Sequence, residues 1–539
     1  MKSKLVSLFA GLLMAAIAVL GTALVPEGAH AASVKRLIFA SAGFHEGNRF
    51  WTISRPDHLQ FEPFLETLVG IDPKTGDYIP ALATKWEISP DSKQWTFHLR
   101  KGVQFHHGYG EFTSADVKHA HSLLVRPDST ATLLAFWRTV ESVDTPDKHT
   151  AVFRFKAPAL PTNLYAFARS GDLRMSSKAQ WDKEGLEGWE KRPAGTGYFE
   201  YVGRQTGLNV VYKRNPKHWS GHKVDFEELE FRIAREEATR LALLLSGDVH
   251  IADLPRELHK DAIARGLKRF QSSLPVDWIS IYMGGQYYIT GDKDFRPKAP
   301  FVNKKVRQAL NIAINRKELM ATVFAGRASL AYLSLWVPAS EGWNPKWESR
   351  FNELYAYNPE KAKQLLKEAG YGPGQLKFEI WAFTEPGESE GPAIADALAI
   401  YFRNVGVNAQ VQMQDWSKIR TTYRKKQLPA HNIMWPNIIG WRPADAGVRN
   451  FYFSKGANHH YEHDFLEKTF NEVLKSTDLK HRHKLMQAIG DHIQEEYADI
   501  PLFWFRNEVF ANPKVVASWI YPGPAAGRSS HFELVKLVK

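Results

Sequence analysis

The sequence predicts an α/β protein of several domains, and three observations carry that reading. Short runs alternate apolar and polar residues with period two, the mark of half-buried strands. Between them lie segments with apolar residues at i, i+3, i+4 and i+7, bounded by capping residues, the mark of amphipathic helices. The chain has 539 residues, 44% hydrophobic and 24% charged, which suggests about three domains at roughly 100–200 residues each. Heptads, low-complexity tracts and short repeats are absent from the sequence.

Residues 1–31 read as a secretory signal peptide. Lys2 and Lys4 form its charged start, Leu5 to Val25 its apolar body, and Ala29-His30-Ala31 a small-x-small cleavage site. The rest of the chain has no run of about 20 apolar residues. The sequence contains no cysteine, so an exported form has no disulfides and no lipid anchor through an N-terminal Cys. That composition suits a soluble periplasmic protein. The formal charge is +12. It would draw anionic ligands or a membrane surface, or simply spread over a solvated exterior. No dense Lys/Arg run marks a nucleic-acid footprint.

Val34 to Ala40 reads as the first strand of the mature chain, followed by a loop at Gly43-Phe-His-Glu-Gly47. Ile71 to Gly76 is a turn. Trp95, Phe97 and Leu99 alternate with Thr96, His98 and Arg100, and Lys101-Gly102 punctuates before Val103 and Phe105 resume, so a hairpin is expected. Thr113-Ser-Ala-Asp116 is a capping box. It opens a helix through Val125 whose His119 and His121, two apart, lie on different faces. Val140 to Phe155 reads as strand. Gly195-Thr-Gly197 permits a tight backbone path and lacks the Lys-Ser/Thr of a phosphate loop.

Glu237 to Leu245 is an apolar helix stopped by Ser246-Gly247-Asp248, and Val276–Met283 a strand crossing towards a second lobe. Residues 302–325 form two helices, the second restarted by Asn315 and stopped by Gly326. Asn358-Pro359 opens another, closed by Gly370. Ile394–Phe402 reads as helix, and Val407, Ala409, Val411 and Met413 alternate as strand.

Catalytic motifs are missing: there is no G-x-S-x-G, H-E-x-x-H or Walker-type loop, and thiol catalysis is excluded. No enzyme activity and no cofactor are expected. His459, His460 and His463 form the best metal candidate, with His460 and His463 able to share a helix face. The alternative is polar decoration of a helix start.

The run from Pro80 to Val117 (P-A-L-A, Trp86, W-T-F-H-L-R-K-G-V-Q-F-H, then T-S-A-D-V) resembles the family-5 extracellular solute-binding proteins of bacterial ABC importers, the oligopeptide-, dipeptide- and nickel-type receptors. His107-Gly108 and one extra residue before Phe112 depart from that pattern. Further similarities are Pro193-Ala-Gly-Thr-Gly197, with Tyr198 for the usual Pro, and V-R-Q-A-L-N-I-A-I-N-R from Val306. They extend through Asn358–Gly370, so the resemblance spans almost the whole mature chain.

It implies a periplasmic-binding-protein-like (type II, cluster C) bilobed hinge fold with an extra inserted domain. Lobe I would take 32–70, 193–283 and 505–539, the inserted domain 71–192, and lobe III 284–504. It implies a monomer that captures a peptide or other small-molecule ligand and delivers it to ABC permease transmembrane subunits. An anionic non-peptide solute (an opine, a sugar acid or a metal chelate) is the first alternative, and a secreted hydrolase, which peptide turnover would reveal, is the second.

The resemblance also places candidate ligand contacts. Phe44, His45 and Glu46 follow the first strand, where the family's loop borders the ligand; an exposed loop is the other use. Trp441 stands at the Trp of the family's G-W-x-x-D loop, and Trp435 precedes it; each could stack on a ligand or pack. Ala444 occupies the position where peptide receptors carry the carboxylate that holds the ligand's α-amino group. Either Asp445, one residue later, takes that role or the ammonium anchor is missing. Arg442 and Arg449 flank the site, as forks for a carboxylate or phosphate or as solvent-facing side chains.

Overall fold

The computed structural model describes residues 34–539 except 53–57, 132, 169–171, 274, 276, 289–295, 339, 385–389, 428–431, 441, 457 and 522–530. The signal-peptide reading and Trp441 lie outside the described residues.

Two large mixed sheets dominate. The first has seven strands in the order Lys268–Gln271, Glu508–Ala511, Ile251–Ala252, Arg36–Ser41, Glu228–Ile233, Asn209–Arg214, Phe199–Gln205. Arg36–Ser41 runs parallel to both of its neighbours. The second has six, ordered Ala328–Leu330, Ile500–Phe505, Asp277–Met283, Ile433–Gly440, Lys377–Ala382, Asn408–Met413. A separate antiparallel sheet of four strands, Ala83–Ile88, Gln94–Leu99, Thr150–Phe155 and Val140–Asp147, comes from the segment between Arg36–Ser41 and Phe199–Gln205.

Period two explains how the second sheet is buried on both faces. Along Asp277–Met283, Ile279, Ile281 and Met283 enter one core, while Trp278 and Tyr282 enter another. The four-stranded sheet shares a continuous core with the first: Trp95, Phe97 and Phe153 belong to the same cluster as Leu37, Phe39 and Phe231.

Asp277–Met283 was placed by sequence before the boundary with the second lobe, yet it hydrogen-bonds within the second sheet. The chain therefore passes between the sheets after Gln271 and before Asp277, and returns at Arg506-Asn507. The two passages touch: the Ser272 amide donates to the Asn507 carbonyl at 3.0 Å, and Arg506 Nη1 donates to the Ser272 carbonyl at 2.5 Å.

Local signals are realised at several points. Thr113 and Asp116 form the reciprocal capping box. Asn315 and Asn358 accept from the Glu318 and Lys361 amides. Gly195 and Gly197 lie against the chain at Pro63-Phe64, where a Cβ at Gly195 would stand 1.8 Å from the Phe64 carbonyl oxygen.

Two local readings are corrected. Val103 and Phe105 form no hairpin partner for Gln94–Leu99, whose neighbours are Ala83–Ile88 and Thr150–Phe155; beyond Gly102, at φ +76°, only a single bridge from Gln104 to Glu111 forms. The run from Val140 to Phe155 is two strands folded back on each other about Lys148-His149. Among the described residues, no helix is long and apolar enough to cross a membrane.

Candidate functional site

Ligands of open α/β sheets collect outside the carboxyl ends of parallel strands. Here three such strands, Glu228–Ile233, Arg36–Ser41 and Ile251–Ala252, end together. A cavity of about 340 Å³ lies beyond them, lined by Phe44 after Arg36–Ser41, Arg235 and Glu237 after Glu228–Ile233, and Asp253 to Arg256 after Ile251–Ala252. The opposite wall comes from the second sheet and its helices through Thr384, Glu390 and Phe505. The cavity thus sits between the lobes, at the small end of the range of ligand sites, roughly 300–1,000 Å³.

Its charges are mostly committed. Arg240 donates to the carbonyls of Ala234, Arg235 and Asp253 and pairs with the Asp253 carboxylate at 3.3 Å, so it pins the strand ends. Asp253 also accepts from the Ser41 hydroxyl at 3.1 Å. Arg256 spans the gap: Nε meets Glu390 across the cleft at 2.5 Å and Nη1 meets Glu508 at 2.8 Å. Glu508 also faces His259 at 3.2 Å and Arg327, from the second lobe, at 3.2 Å. Burial alone would raise its carboxyl, but the His259 hydrogen bond and the Arg256 and Arg327 charges outweigh this and hold it down at about 2.

A second bridge lies at the inserted segment. Asp445 is the second residue of the helix Ala444–Phe451 and is buried. Its Oδ2 accepts from the Thr162 hydroxyl at 2.7 Å, its Oδ1 accepts from the Ala446 amide at 2.8 Å, and Arg482 stands 3.5 Å away. Arg482 is itself held by both oxygens of Glu341, at 3.0 and 2.8 Å.

The other sequence candidates separate. Phe44 lines the cavity and stacks on Phe231, ring centroids 5.2 Å apart. His45 and Glu46 do not line it: the His45 carbonyl accepts from Gln60 and Arg204, and Glu46 is exposed. Trp435 is fully buried, stacked on Tyr423 and edge-on to Tyr282; of its two proposed uses, it packs. Arg442 is buried over the Phe451 ring, 5.2 Å from its centroid, rather than solvent-facing. Arg449 is half-buried without a hydrogen bond or ion pair among the described residues. Burial lowers its guanidinium pKa against the opposing pull of Asp445.

The three histidines do not converge. His459 Nε2 pairs with Glu462 at 2.7 Å, His460 stacks on Tyr282 at 3.6 Å, and His463 caps the helix Asp464–Lys475. His460 precedes that helix, so it shares no helix face with His463. Among the described residues no group of three or more His, Cys, Asp or Glu side chains could hold a metal ion.

The residues that sequence reasoning missed are Arg235, Glu237, Asp253, Arg256, Glu390 and Glu508. The available signal was topological: the first three follow strand ends. Which strands run parallel and adjacent is decided by pairings some 200 residues apart, and single-run alternation does not carry that.

Two α/β lobes, joined by a pair of touching crossings and enclosing a charged cavity at parallel strand ends, define a bilobed hinged binding protein. The profile of bacterial extracellular solute-binding proteins, family 5 (middle region), matches residues 77–459, and the chain belongs to that family. It is 26% identical to heme-binding protein A of Haemophilus influenzae, over 81% of this chain and 80% of the relative. It is 27% identical to the dipeptide-binding protein of Escherichia coli, over 78% and 79%. Its fold matches the ABC transporter-associated periplasmic binding protein DppA of Helicobacter pylori, solved in complex with the peptide STSA. The TM-score is 0.76 and the identity 21%, covering 94% of this chain and 99% of the other.

Proposed function

We propose that this protein is the solute-capturing component of an ABC import system. It takes a peptide or peptide-like solute in the periplasm and hands it to the permease transmembrane subunits, breaking no bond. The observation that carries this reading is the interlobe cavity, whose walls come from both lobes and are clasped by Arg256. A solute seated there touches both lobes at once, so its contacts favour the closed form. The relative named for dipeptides supports a peptide ligand.

The same reading covers export by the signal peptide, cleavage before Ala32, and a free, unlipidated monomer. It divides the chain into a first lobe, an inserted domain and a second lobe, with hinge positions at Ser272 and at Arg506-Asn507. The direct experiment is calorimetric titration with dipeptides and tripeptides, followed by chromatography of the incubated peptide. Binding with the peptide returned intact supports a receptor; hydrolysis would make the protein an enzyme.

A second reading, an anionic non-peptide solute, draws on Arg449, which stands off the cavity wall but has no hydrogen bond or ion pair among the described residues. Loss of acidic-ligand binding in Arg449→Leu would support it.

A further inference from the structure

A peptide's α-ammonium cannot be desolvated without a partner, because an unpaired buried charge is strongly disfavoured. The residue nearest to the expected anchor, Asp445, has both oxygens occupied. Oδ1 takes the Ala446 amide, Oδ2 takes the Thr162 hydroxyl, and Arg482 already balances its charge. It is also absent from the cavity wall.

The cavity wall itself carries four carboxylates: Glu237, Asp253, Glu390 and Glu508. Asp253 is paired with Arg240 and Ser41, Glu390 with Arg256, and Glu508 with Arg256, His259 and Arg327. Glu237 alone of the four has no hydrogen bond or ion pair among the described residues. It is half-buried, at the first residue of the helix Glu237–Ser246. Burial, together with the Glu257 and Asp253 carboxylates, holds its carboxyl above the usual range. A carboxylate in that setting gains most from an incoming cation. The nearby guanidinium of Arg240, committed to Asp253 and three carbonyls, pulls the other way without outweighing this; Arg235 is exposed at the rim.

We propose that Glu237, on the first lobe, is the ammonium anchor of this receptor, and that its ligands are short peptides with a free amino terminus. The assignment rests on the peptide-receptor reading above. It moves the specificity-determining carboxylate from the second lobe to the first, so the amino end of the ligand is held before the lobes close.

The test uses the full mature chain and an equimolar pool of alanyl-phenylalanine, glycyl-leucine and seryl-alanine, with the N-acetylated pool as control, read by native mass spectrometry and calorimetry. The wild type is expected to bind the free pool and to reject the acetylated one. Glu237→Gln should weaken binding by about tenfold or more, as expected when one partner of a desolvated charge pair is removed. Asp445→Asn, which loosens the Thr162 bridge, should keep the preference for the free over the acetylated pool, whereas Glu237→Gln should lose it. Thermal melts check that each variant is folded, and Glu237→Asp, which keeps the charge, should restore part of the affinity. Unchanged affinity in folded Glu237→Gln, or equal binding of both pools, overturns the anchor while leaving the receptor in place. A folded wild type that takes up neither pool overturns the peptide reading and the anchor together.

Discussion

Removing the charge of Glu390 should open the protein. Arg256 leaves the first lobe and meets Glu390 across the cleft at 2.5 Å, with both side chains almost wholly buried, 8% and 7% exposed. Glu390→Gln keeps the size and one acceptor oxygen but deletes the negative charge. Losing one partner of a buried pair costs about 3–5 kcal/mol. Here Arg256 retains the Glu508 carboxylate at 2.8 Å and the Arg506 carbonyl at 3.2 Å, so the loss is nearer that of one hydrogen bond to a charged group, about 1.5–3 kcal/mol. The contact joins two lobes, so nearly all of that falls on the closed form. The closed-to-open ratio should drop by about 10- to 100-fold. Solution scattering should show a larger radius of gyration than the wild type, and calorimetry a matching loss of dipeptide affinity, with each lobe still folded by circular dichroism. A variant with wild-type scattering and wild-type affinity would refute the clasp.

Two further perturbations test the frame around the cavity. Glu508 ionises at about 2 in the fold against an ordinary value of 4.5. Its contribution, about 3 kcal/mol, is therefore fully present above pH 4.5 and lost as the pH falls from there towards 2. Glu508→Gln should remove that leg of the acid-unfolding curve and lower stability at neutral pH; an unchanged curve contradicts the cluster. Gly195→Ala would place a methyl 1.8 Å from the Phe64 carbonyl oxygen, so denaturant unfolding should show a loss of about 1–3 kcal/mol or more, and a silent substitution would mean that the backbone approach is looser than described.

Much of the fold was legible because its elements carry local signals. Asn358-Pro359 to Gly370, the two helices split at Asn315, and the capping box at Thr113 each rest on contacts within a few residues. The errors came where long-range pairing decides. Val103 and Phe105 alternate as a strand would, but Gln94–Leu99 already has its second neighbour in Thr150–Phe155, more than 50 residues away. Asp277–Met283 is buried at every position and carries no mark of which sheet it joins.

The site was less legible for the same reason. Phe44 was named from the family resemblance, which places the loop after the first strand beside the ligand, and it lines the cavity. Trp435 and Arg442 are chemically suited to ligands, yet they pack against Tyr423 and Phe451, which a sequence pattern does not reveal. Glu237 looks like an ordinary helix-start carboxylate in sequence. Its interest arises only because the neighbouring carboxylates are already paired.

The central claim is that the interlobe cavity holds a short peptide with a free amino terminus. Native mass spectrometry of the protein as purified from the periplasm of its source cells tests it most directly, before and after denaturation. The account predicts a retained non-covalent ligand that fragments as a short peptide, reacts with amine reagents once released, and is exchanged by the free dipeptide pool. A retained ligand with no amino group, or a folded protein that arrives empty and takes up no dipeptide, would contradict it.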